Sequence, residues 1–282
     1  MKNNLHKNWM RDFACATSFA VLAAVAVGCS DSGNDVAGGA SGDAGIIAIS
    51  DKQIAGVAQK GPFVKGSNVV LKETSAKGNL EPTGREFFAT TRSDEGDFVI
   101  DGISLESQFI SLTATGYFKR ENTGENSKCQ VRLNALSDIS NRDKVNINVL
   151  THIEYGRILK LTEKGKSFDE AQKQAHGELF SALGRESAAD DAENLDVTGS
   201  REDDRLLESF STLVDECAFS LSAGGSDECL AGQEFMDVLA QAFARNGKLF
   251  DDLDHYETKI YSQQDMYLCL FSFQDFLESN AR

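Results

Sequence analysis

The sequence predicts an α+β protein in which an N-terminal antiparallel β-sandwich precedes a C-terminal bundle of α-helices. Two changes of pattern predict this order. Between residues 51 and 148, short alternating apolar segments are divided by turn signals, as in strands. After residue 148, apolar side chains recur every three or four positions, as in helices. The length of 282 residues suffices for one or two such domains.

Residues 1–28 have the pattern of a secretion signal. A polar, net basic start is followed by the small apolar residues 13–28, too few to cross a bilayer as a helix. The segment ends in AVGC at 26–29, which resembles the lipobox of bacterial lipoproteins. This resemblance implies that Cys29 is acylated and becomes the first residue of a membrane-anchored chain. The alternative is a plain secretory signal in which Cys29 is an ordinary residue.

Residues 29–50 are predicted to form a flexible tether, because they are rich in Gly, Ser and Asp and poor in bulky side chains. Ser30 stands where an Asp retains enteric lipoproteins in the inner membrane, so the same resemblance implies an outer-membrane location. The sequence leaves open whether the folded part faces the cell surface or the periplasm.

Seven strands are predicted within 51–148. Their ranges are 54–59, 68–73, 86–92, 97–101, 109–115, 129–136 and 145–148. Val69 and Leu71 share one face of their strand, and the adjacent rings of Phe87 and Phe88 point to opposite faces, as do those of Tyr117 and Phe118. Seven short strands at this spacing are typical of an antiparallel sandwich.

Three segments, GVAQKGPFVKGSNVVLKE, TTRSDEGDFVIDGI and ISLTATGYF, resemble the carboxypeptidase regulatory-like (transthyretin-like) sandwich. The matching positions are Gly56, Gly66, Val69, Leu71, Asp94, Gly96, Phe98, Ile100, Ala114, Gly116 and Tyr117. That family is a stability and interaction module, so the resemblance implies a sandwich without catalysis of its own. The wider stretch 54–184 resembles acidic envelope lipoproteins of fibre-degrading bacteria, which implies the same architecture and location.

The helical domain is predicted to cover 149–282, with an acidic loop at 185–204. Ser167 and Glu170 form a capping box that starts one helix. The other predicted helices cover 149–161, 203–222, 229–245 and 266–277. About five elements joined by short loops are typical of a helical bundle.

Four cysteines, Cys129, Cys217, Cys229 and Cys269, accompany Cys29 in the mature chain. An even number in an oxidising envelope favours disulfides. We predict a bridge between Cys217 and Cys229, which flank a helix–turn–helix. The alternative is that Cys217 and Cys269 are buried thiols on apolar helix faces.

One turn, KGPFVKG at 60–66, is basic and aromatic in an otherwise acidic protein. Lys60, Phe63 and Lys65 are therefore a candidate contact loop for an acidic glycan or protein partner. The alternative is a connecting loop in which Phe63 and Val64 pack against the edge of the sandwich.

Composition and motifs restrict the function classes. The net charge of −16 makes nucleic acid an unexpected partner, because neutralising phosphate requires clustered Lys and Arg. The chain contains no H-E-x-x-H, G-x-S-x-G or C-x₂-C motif, and its acidic runs lack EF-hand spacing, so no catalytic residue, metal or cofactor is predicted.

We therefore expect a non-catalytic binding or assembly module at the outer membrane, anchored by its N-terminal lipid. Its partner would be an envelope protein or a glycan, and its ligand is not identified by the sequence. Two alternatives remain open. One is an envelope hydrolase whose site is assembled from distant residues such as His152 or His176, and the other is a purely structural envelope protein.

Overall fold

The computed structural model describes residues 45–75, 80–185, 191–222 and 228–249, together with Cys269 and Phe273. Within these ranges the fold is mixed α and β, with seven strands in two sheets and four α-helices. The predicted signal segment 1–28, most of the tether and nearly all of the fifth predicted helix lie outside the described residues.

The strands follow the sequence prediction closely. They are β1 (Ile49–Gln59), β2 (Asn68–Thr74), β3 (Pro82–Thr90), β4 (Asp97–Leu105), β5 (Phe109–Gly116), β6 (Val131–Asp138) and β7 (Ile147–Asn148). Strand β1 begins at Ile49, five residues before the predicted strand 54–59 and inside the predicted tether 29–50, because Ile49 pairs with Leu105 of β4. The predicted third strand, 86–92, begins earlier than expected, at Pro82. Proline is tolerated there because β3 is an edge strand and Pro82 is its first residue, where no ladder N–H is needed.

The two sheets contribute to one hydrophobic core. The first has the order β4-β1-β7, and the second has the order β3-β2-β5-β6 with antiparallel pairing throughout. Ile54 and Phe98 from the first sheet, and Leu71 and Leu112 from the second, belong to one buried cluster. Phe88 is 70% exposed while Phe87 is half-buried, which confirms that adjacent rings lie on opposite faces of β3.

One pairing departs from the antiparallel prediction. Strand β7 runs parallel to β1, with Ala58 opposite Ile147. The physical reason is that β7 is only two residues long and continues directly into the first helix, so its direction is set by where that helix packs.

Four helices follow, α1 (Val149–Glu163), α2 (Phe168–Ala182), α3 (Glu202–Leu221) and α4 (Glu228–Asn246). Asn148 caps α1, because its side-chain oxygen accepts the backbone N–H groups of Leu150 and Thr151, each at 3.0 Å. The predicted capping box of Ser167 and Glu170 is confirmed at the start of α2. The predicted acidic loop 185–204 includes a short 3₁₀ turn, Ala192–Asn194.

Helix α1 joins the sheet to the other helices. It packs against β6, α2 and α4, and its side chains belong to the same hydrophobic cluster as those of the strands. At Gly156 an added Cβ would lie 3.0 Å from the Cβ of Ala244, so α1 and α4 approach closely there. Among the described residues, no helix has both the length and the apolarity needed to cross a membrane.

The disulfide prediction is wrong. Cys217 is bonded to Cys269, with their Cα atoms 5.4 Å apart, and not to Cys229. The reason is that Cys217 lies on the buried face of α3, where Cys269, also buried, packs against it. The alternative of two buried thiols is wrong in turn, since both sulfurs are bonded. Cys129 is disulfide-bonded as well.

We expect non-reducing peptide mapping to find the Cys217 peptide linked to the Cys269 peptide, and reduction to separate them. The bridge closes a sequence separation of 52 residues, so Cys269→Ala should lower the free energy of unfolding by about 2–4 kcal/mol. Cys217→Ala is the matched control, and its free energy of unfolding should fall by the same amount. A Cys217 peptide linked to Cys229 would contradict the structure.

Candidate functional site

A cleft opens between the β5–β6 loop and helices α3 and α4. It is small, with a cavity volume of about 20 Å³, which is room for about one water molecule. Its apolar lining consists of Phe118, Val131, Ala218, Gly232 and Met236. Its polar lining consists of Lys60, Arg120, Ser127, Lys128 and Asp215.

The floor of the cleft is apolar, and α3 and α4 approach each other closely beside it. Phe118, Val131 and Met236 are all buried. Helices α3 and α4 meet at Ala218 and Gly232, where an added Cβ on the glycine would lie 3.1 Å from the Cβ of the alanine. A larger side chain at either position would therefore push α3 and α4 apart beside the cleft.

Lys60 lies at the inner end of the cleft, in a buried network of charges. Its Nζ donates to the carbonyl oxygen of Ser211 at 2.9 Å and lies 3.2 Å from Asp215 Oδ1 and 3.4 Å from Glu121 Oε2. The ammonium also lies 5.0 Å from the ring centroid of Phe118, within the range of a cation–π contact. These partners together replace the water that burial removes from the ammonium.

The network extends to a second cation. Arg120 Nε donates to Asp215 Oδ2 at 3.1 Å, so both oxygens of this carboxylate are engaged, one by each cation. Burial raises the pKa of the Glu121 carboxyl, and the nearby Lys60 ammonium opposes this effect. The network thereby ties the loop after β1, the β5–β6 loop and α3 to one another.

The structure corrects the predicted contact loop. Lys60 is 2% exposed and Phe63 is fully buried, so neither side chain can reach a partner; only Lys65 is exposed. The loop packs closely because Gly61 lies against the β5–β6 loop, where an added Cβ would be in severe conflict with the Lys119 carbonyl oxygen. The alternative prediction, in which Phe63 packs inward, describes the loop correctly.

The β5–β6 loop forms a fixed wall at the mouth of the cleft. Ser127 Oγ accepts the N–H of Phe118 at 3.1 Å and donates to the carbonyl oxygen of Cys129 at 2.8 Å. Cys129 is itself disulfide-bonded. Between them, Lys128 is exposed at the rim and forms no hydrogen bond or ion pair with any residue in the described part of the chain.

Both histidines within the described residues pair with carboxylates. His152 Nε2 lies 3.0 Å from Asp237 Oδ1, and its Nδ1 lies 3.3 Å from the Asn134 side-chain amide. These contacts link α1 to α4 and to β6. His176 Nδ1 lies 3.0 Å from Glu154 Oε1 and links α2 to α1. His255 lies outside the described residues.

A second, smaller pocket, with a cavity volume of about 10 Å³, borders the His176–Glu154 pair. Glu193 lies there, buried, ion-paired with Arg142 and accepting the Gln172 side-chain amide at 3.0 Å. Burial raises the pKa of the Glu193 carboxyl to about 7, although Arg142 acts in the opposite direction. Burial also raises the pKa of Glu154, opposed by His176. Among the described residues, no group of His, Cys, Asp or Glu has the arrangement of a metal site.

Sequence reasoning missed most of the cleft. Arg120, Lys128 and Asp215 carry no motif, and the pairing of Asp215 with Lys60 spans 155 positions of sequence. One signal was present: Ser211 and Asp215 lie one turn apart on α3, beside the apolar stripe that contains Phe210 and Val214. A charged side chain next to an apolar stripe indicates a buried partner of opposite charge.

We expect Lys60→Met to lower the free energy of unfolding by about 3–5 kcal/mol, because it leaves buried carboxylates without their central cation. Urea unfolding monitored by circular dichroism measures the change. The control is Lys65→Met, the exposed lysine of the same loop, with an expected change within about 0.5 kcal/mol. Equal losses for the two variants would contradict the assigned network.

We expect Glu193 to make the protein less stable as the pH rises. Its folded-state pKa of about 7 lies above the ordinary 4.5, so the stability that it contributes is complete below pH 4.5 and is lost as the pH rises through 7. The wild type should lose about 3 kcal/mol more than Glu193→Gln between pH 4.5 and 8, because the amide cannot ionise. Denaturant unfolding at both pH values checks this. The exposed-site control, Glu95→Gln, should follow the wild type, and a parallel loss in Glu193→Gln would refute the assignment.

Comparison of the chain with protein-family models, curated proteins and solved structures found no match in any of the three. The resemblances to bacterial lipoproteins and to the carboxypeptidase regulatory-like sandwich therefore stay predictions, and function must be argued from the cleft and the sequence.

Proposed function

We propose that this chain is an envelope lipoprotein, held at the outer membrane by lipid on Cys29, whose folded part is a non-catalytic binding module. In this proposal the two sheets form a β-sandwich of the carboxypeptidase regulatory-like type. The helices that follow it supply one wall of the binding site, and the tether 29–50 gives the module freedom to orient.

The observation that carries this proposal is the cleft. Its apolar floor and converging polar groups have the composition of a small-molecule site, and because its cavity volume is only about 20 Å³, a ligand larger than water has to widen it. Its walls come from α3, α4 and a disulfide-bonded loop, which lie far apart in the sequence. The convergence of these walls on one concavity supports a ligand site over a purely structural role.

The histidine contacts favour binding over hydrolysis. A general base needs a ring nitrogen within hydrogen-bond reach of the reacting group. Both nitrogens of His152 are instead occupied, by Asp237 and Asn134. His176 is held against Glu154 between α1 and α2. Both arrangements supply helix packing, and the two contacts of His152 leave it no ring nitrogen for a reacting group.

We expect Cys29→Ser to abolish metabolic labelling with an alkyne-modified palmitate and to release the protein from the membrane fraction. Ser30→Ala is the neighbouring control and should keep the label. Proteinase K treatment of intact cells then locates the module, since digestion with an intact periplasmic control places it at the surface. An unlabelled wild type would overturn the lipid anchor.

The binding role is tested by thermal melting of the mature protein against organic anions, glycans and divalent cations. A ligand that prefers the folded state raises the melting temperature. We expect a rise with at least one class, reduced in Lys128→Glu and unchanged in Lys65→Glu. The second variant makes the same charge change on the exposed loop. No rise with any class would overturn the binding role in favour of a structural one.

A further inference from the structure

We propose that one end of the folded part docks on the anionic phospholipid surface of the bilayer that holds the lipid anchor. We call it the anchor end, and it bears Ile46, Ile47, Lys164 and Lys166. In the docked state the two isoleucines enter the interface between headgroups and acyl chains, and the two lysines lie against lipid phosphates. This inference rests on the proposed anchor at Cys29 and adds a second, non-covalent contact with the membrane.

Two large apolar side chains are exposed just before β1 begins. Ile46 is 54% exposed and Ile47 is 47% exposed. Ile47 is held in place, because its backbone N–H donates to the side-chain oxygen of Gln108 at 2.8 Å and Ile49 starts β1 two residues later. Exposed apolar side chains are stabilised by transfer from water into a bilayer interface. The pair is therefore suited to shallow insertion.

The turn between α1 and α2, residues 164–167, lies at the same end of the molecule. Gln108 contacts Ile47, and the next residue, Phe109, packs its ring against Phe168 with the ring centroids 4.8 Å apart. Phe168 is the first residue of α2 and directly follows the turn. The start of β5 thus lies between the isoleucines and the turn, and all three can face one surface.

The turn presents two lysines on a fixed backbone. Lys164 and Lys166 are exposed, and their side chains form no hydrogen bond or ion pair with any residue in the described part of the chain. Both backbone N–H groups donate to the Leu161 carbonyl oxygen at 3.2 Å. Gly165 between them has a φ of 90°, and an added Cβ there would meet nothing within 4 Å. The turn therefore projects both ammonium groups into solvent.

The acidic side chains beside the turn are already engaged within the fold. The contacts are Glu163 with Lys160, Asp169 with Lys173, and Glu170 with the capping residue Ser167. These contacts leave the two lysines of the turn to interact with an external anion. Since the chain has a net charge of −16, an anionic lipid surface repels most of the molecule and attracts this turn. Charge therefore selects which end faces the bilayer.

The proposed anchor brings this end to the bilayer. Residues 29–44 connect the acylated cysteine to the first described residue, Gly45. A flexible chain of that length has an r.m.s. span of about 20–24 Å, so the anchor end is confined close to the lipid. A confined contact needs little affinity of its own, because the second binding event is intramolecular. The position of the tether therefore favours the bilayer over a protein as the occupant of this surface.

Docking at this end turns the cleft away from the membrane. Strand β1 leads from Ile49 at the anchor end to Gln59, and Lys60 at the inner end of the cleft follows directly. Eleven residues of strand span about 35 Å. The candidate binding site then faces outward at about that distance from the lipid surface, where a partner can reach it.

The test uses tryptophan fluorescence. The only tryptophan of the chain is Trp9, inside the predicted signal, so Ile46→Trp gives the lipidated mature protein a single reporter. The lipidated variant is reconstituted into phosphatidylcholine vesicles containing roughly a third phosphatidylglycerol, with and without brominated acyl chains. We expect the brominated lipid to lower the emission by about twofold, and the emission maximum to shift to shorter wavelength, because the ring enters the interface.

Phe219→Trp is the matched control. Phe219 is 56% exposed and lies on α3, one turn beyond Asp215, which binds Lys60 at the end of β1 opposite to the anchor end. Its emission should be the same with brominated and ordinary lipid. Equal quenching of the two reporters, or quenching of neither, would overturn the docked orientation.

Charge reversal tests the role of the turn. In the Ile46→Trp protein, Lys164→Glu combined with Lys166→Glu should lower the docking constant by about tenfold or more, because both attractions become repulsions. Lys65→Glu combined with Lys144→Glu makes the same net charge change at exposed lysines away from the anchor end and should leave the quenching unchanged. Both double variants should keep the wild-type melting temperature. An equal loss in the two, or no loss in the turn variant, would refute docking through the turn.

The outcomes separate this inference from the function on which it rests. If the wild type takes up no palmitate label, the anchor is wrong and the docking falls with it. If the wild type is labelled but Ile46→Trp is quenched no more than Phe219→Trp, the docking is wrong and the anchored binding module stands.

Discussion

The arrangement of this protein depends on one buried ammonium group. Burial removes the positive charge of Lys60 Nζ from water. The folded state can bear this desolvation cost only because Ser211, Asp215 and Glu121 all supply oxygens to the ammonium. These partners come from two separate segments, the β5–β6 loop and α3. A buried charge network costs free energy when one partner is missing. It therefore fixes a single relative position for the chain segments that supply the partners. Two walls of the cleft, the β5–β6 loop and α3, are held in position in this way.

Local patterns predicted the elements of the fold well. Short apolar segments between turn signals located the seven described strands, although β1 begins five residues before its predicted start. The capping box at Ser167 located α2, and the change of period at residue 148 coincides with the start of α1. These features depend on neighbours in sequence, as does the opposite exposure of Phe87 and Phe88. The parallel pairing of β7 escaped prediction, because two residues carry no directional pattern and a distant helix decides it.

The site depends instead on residues far apart in sequence. A lysine next to a Gly-Pro turn indicates a solvent-exposed side chain. Lys60 is buried instead, because its carboxylate partners lie 61 and 155 positions away in the sequence. The same holds for Cys217, whose partner lies 52 positions away while Cys229 is nearer in sequence. Glu193 belongs to residues 185–204, which are predicted to form an acidic loop. Its burial follows from packing against Arg142 and Gln172. Rules based on residue spacing describe local geometry and do not predict pairs of residues that are distant in sequence.

The edge strand β3 has a consequence for a protein crowded on a surface. An exposed edge invites strand pairing between molecules, and copies confined to two dimensions, as the proposed anchor implies, collide far more often than in solution. Strand β3 begins with Pro82, which has no backbone N–H to donate. The guanidinium of Arg85 donates to the Ser104 carbonyl oxygen at 2.8 Å. Glu86 adds charge beside the exposed ring of Phe88. These features oppose strand pairing between copies, so copies held by the proposed anchor would each remain a separate, unpolymerised unit.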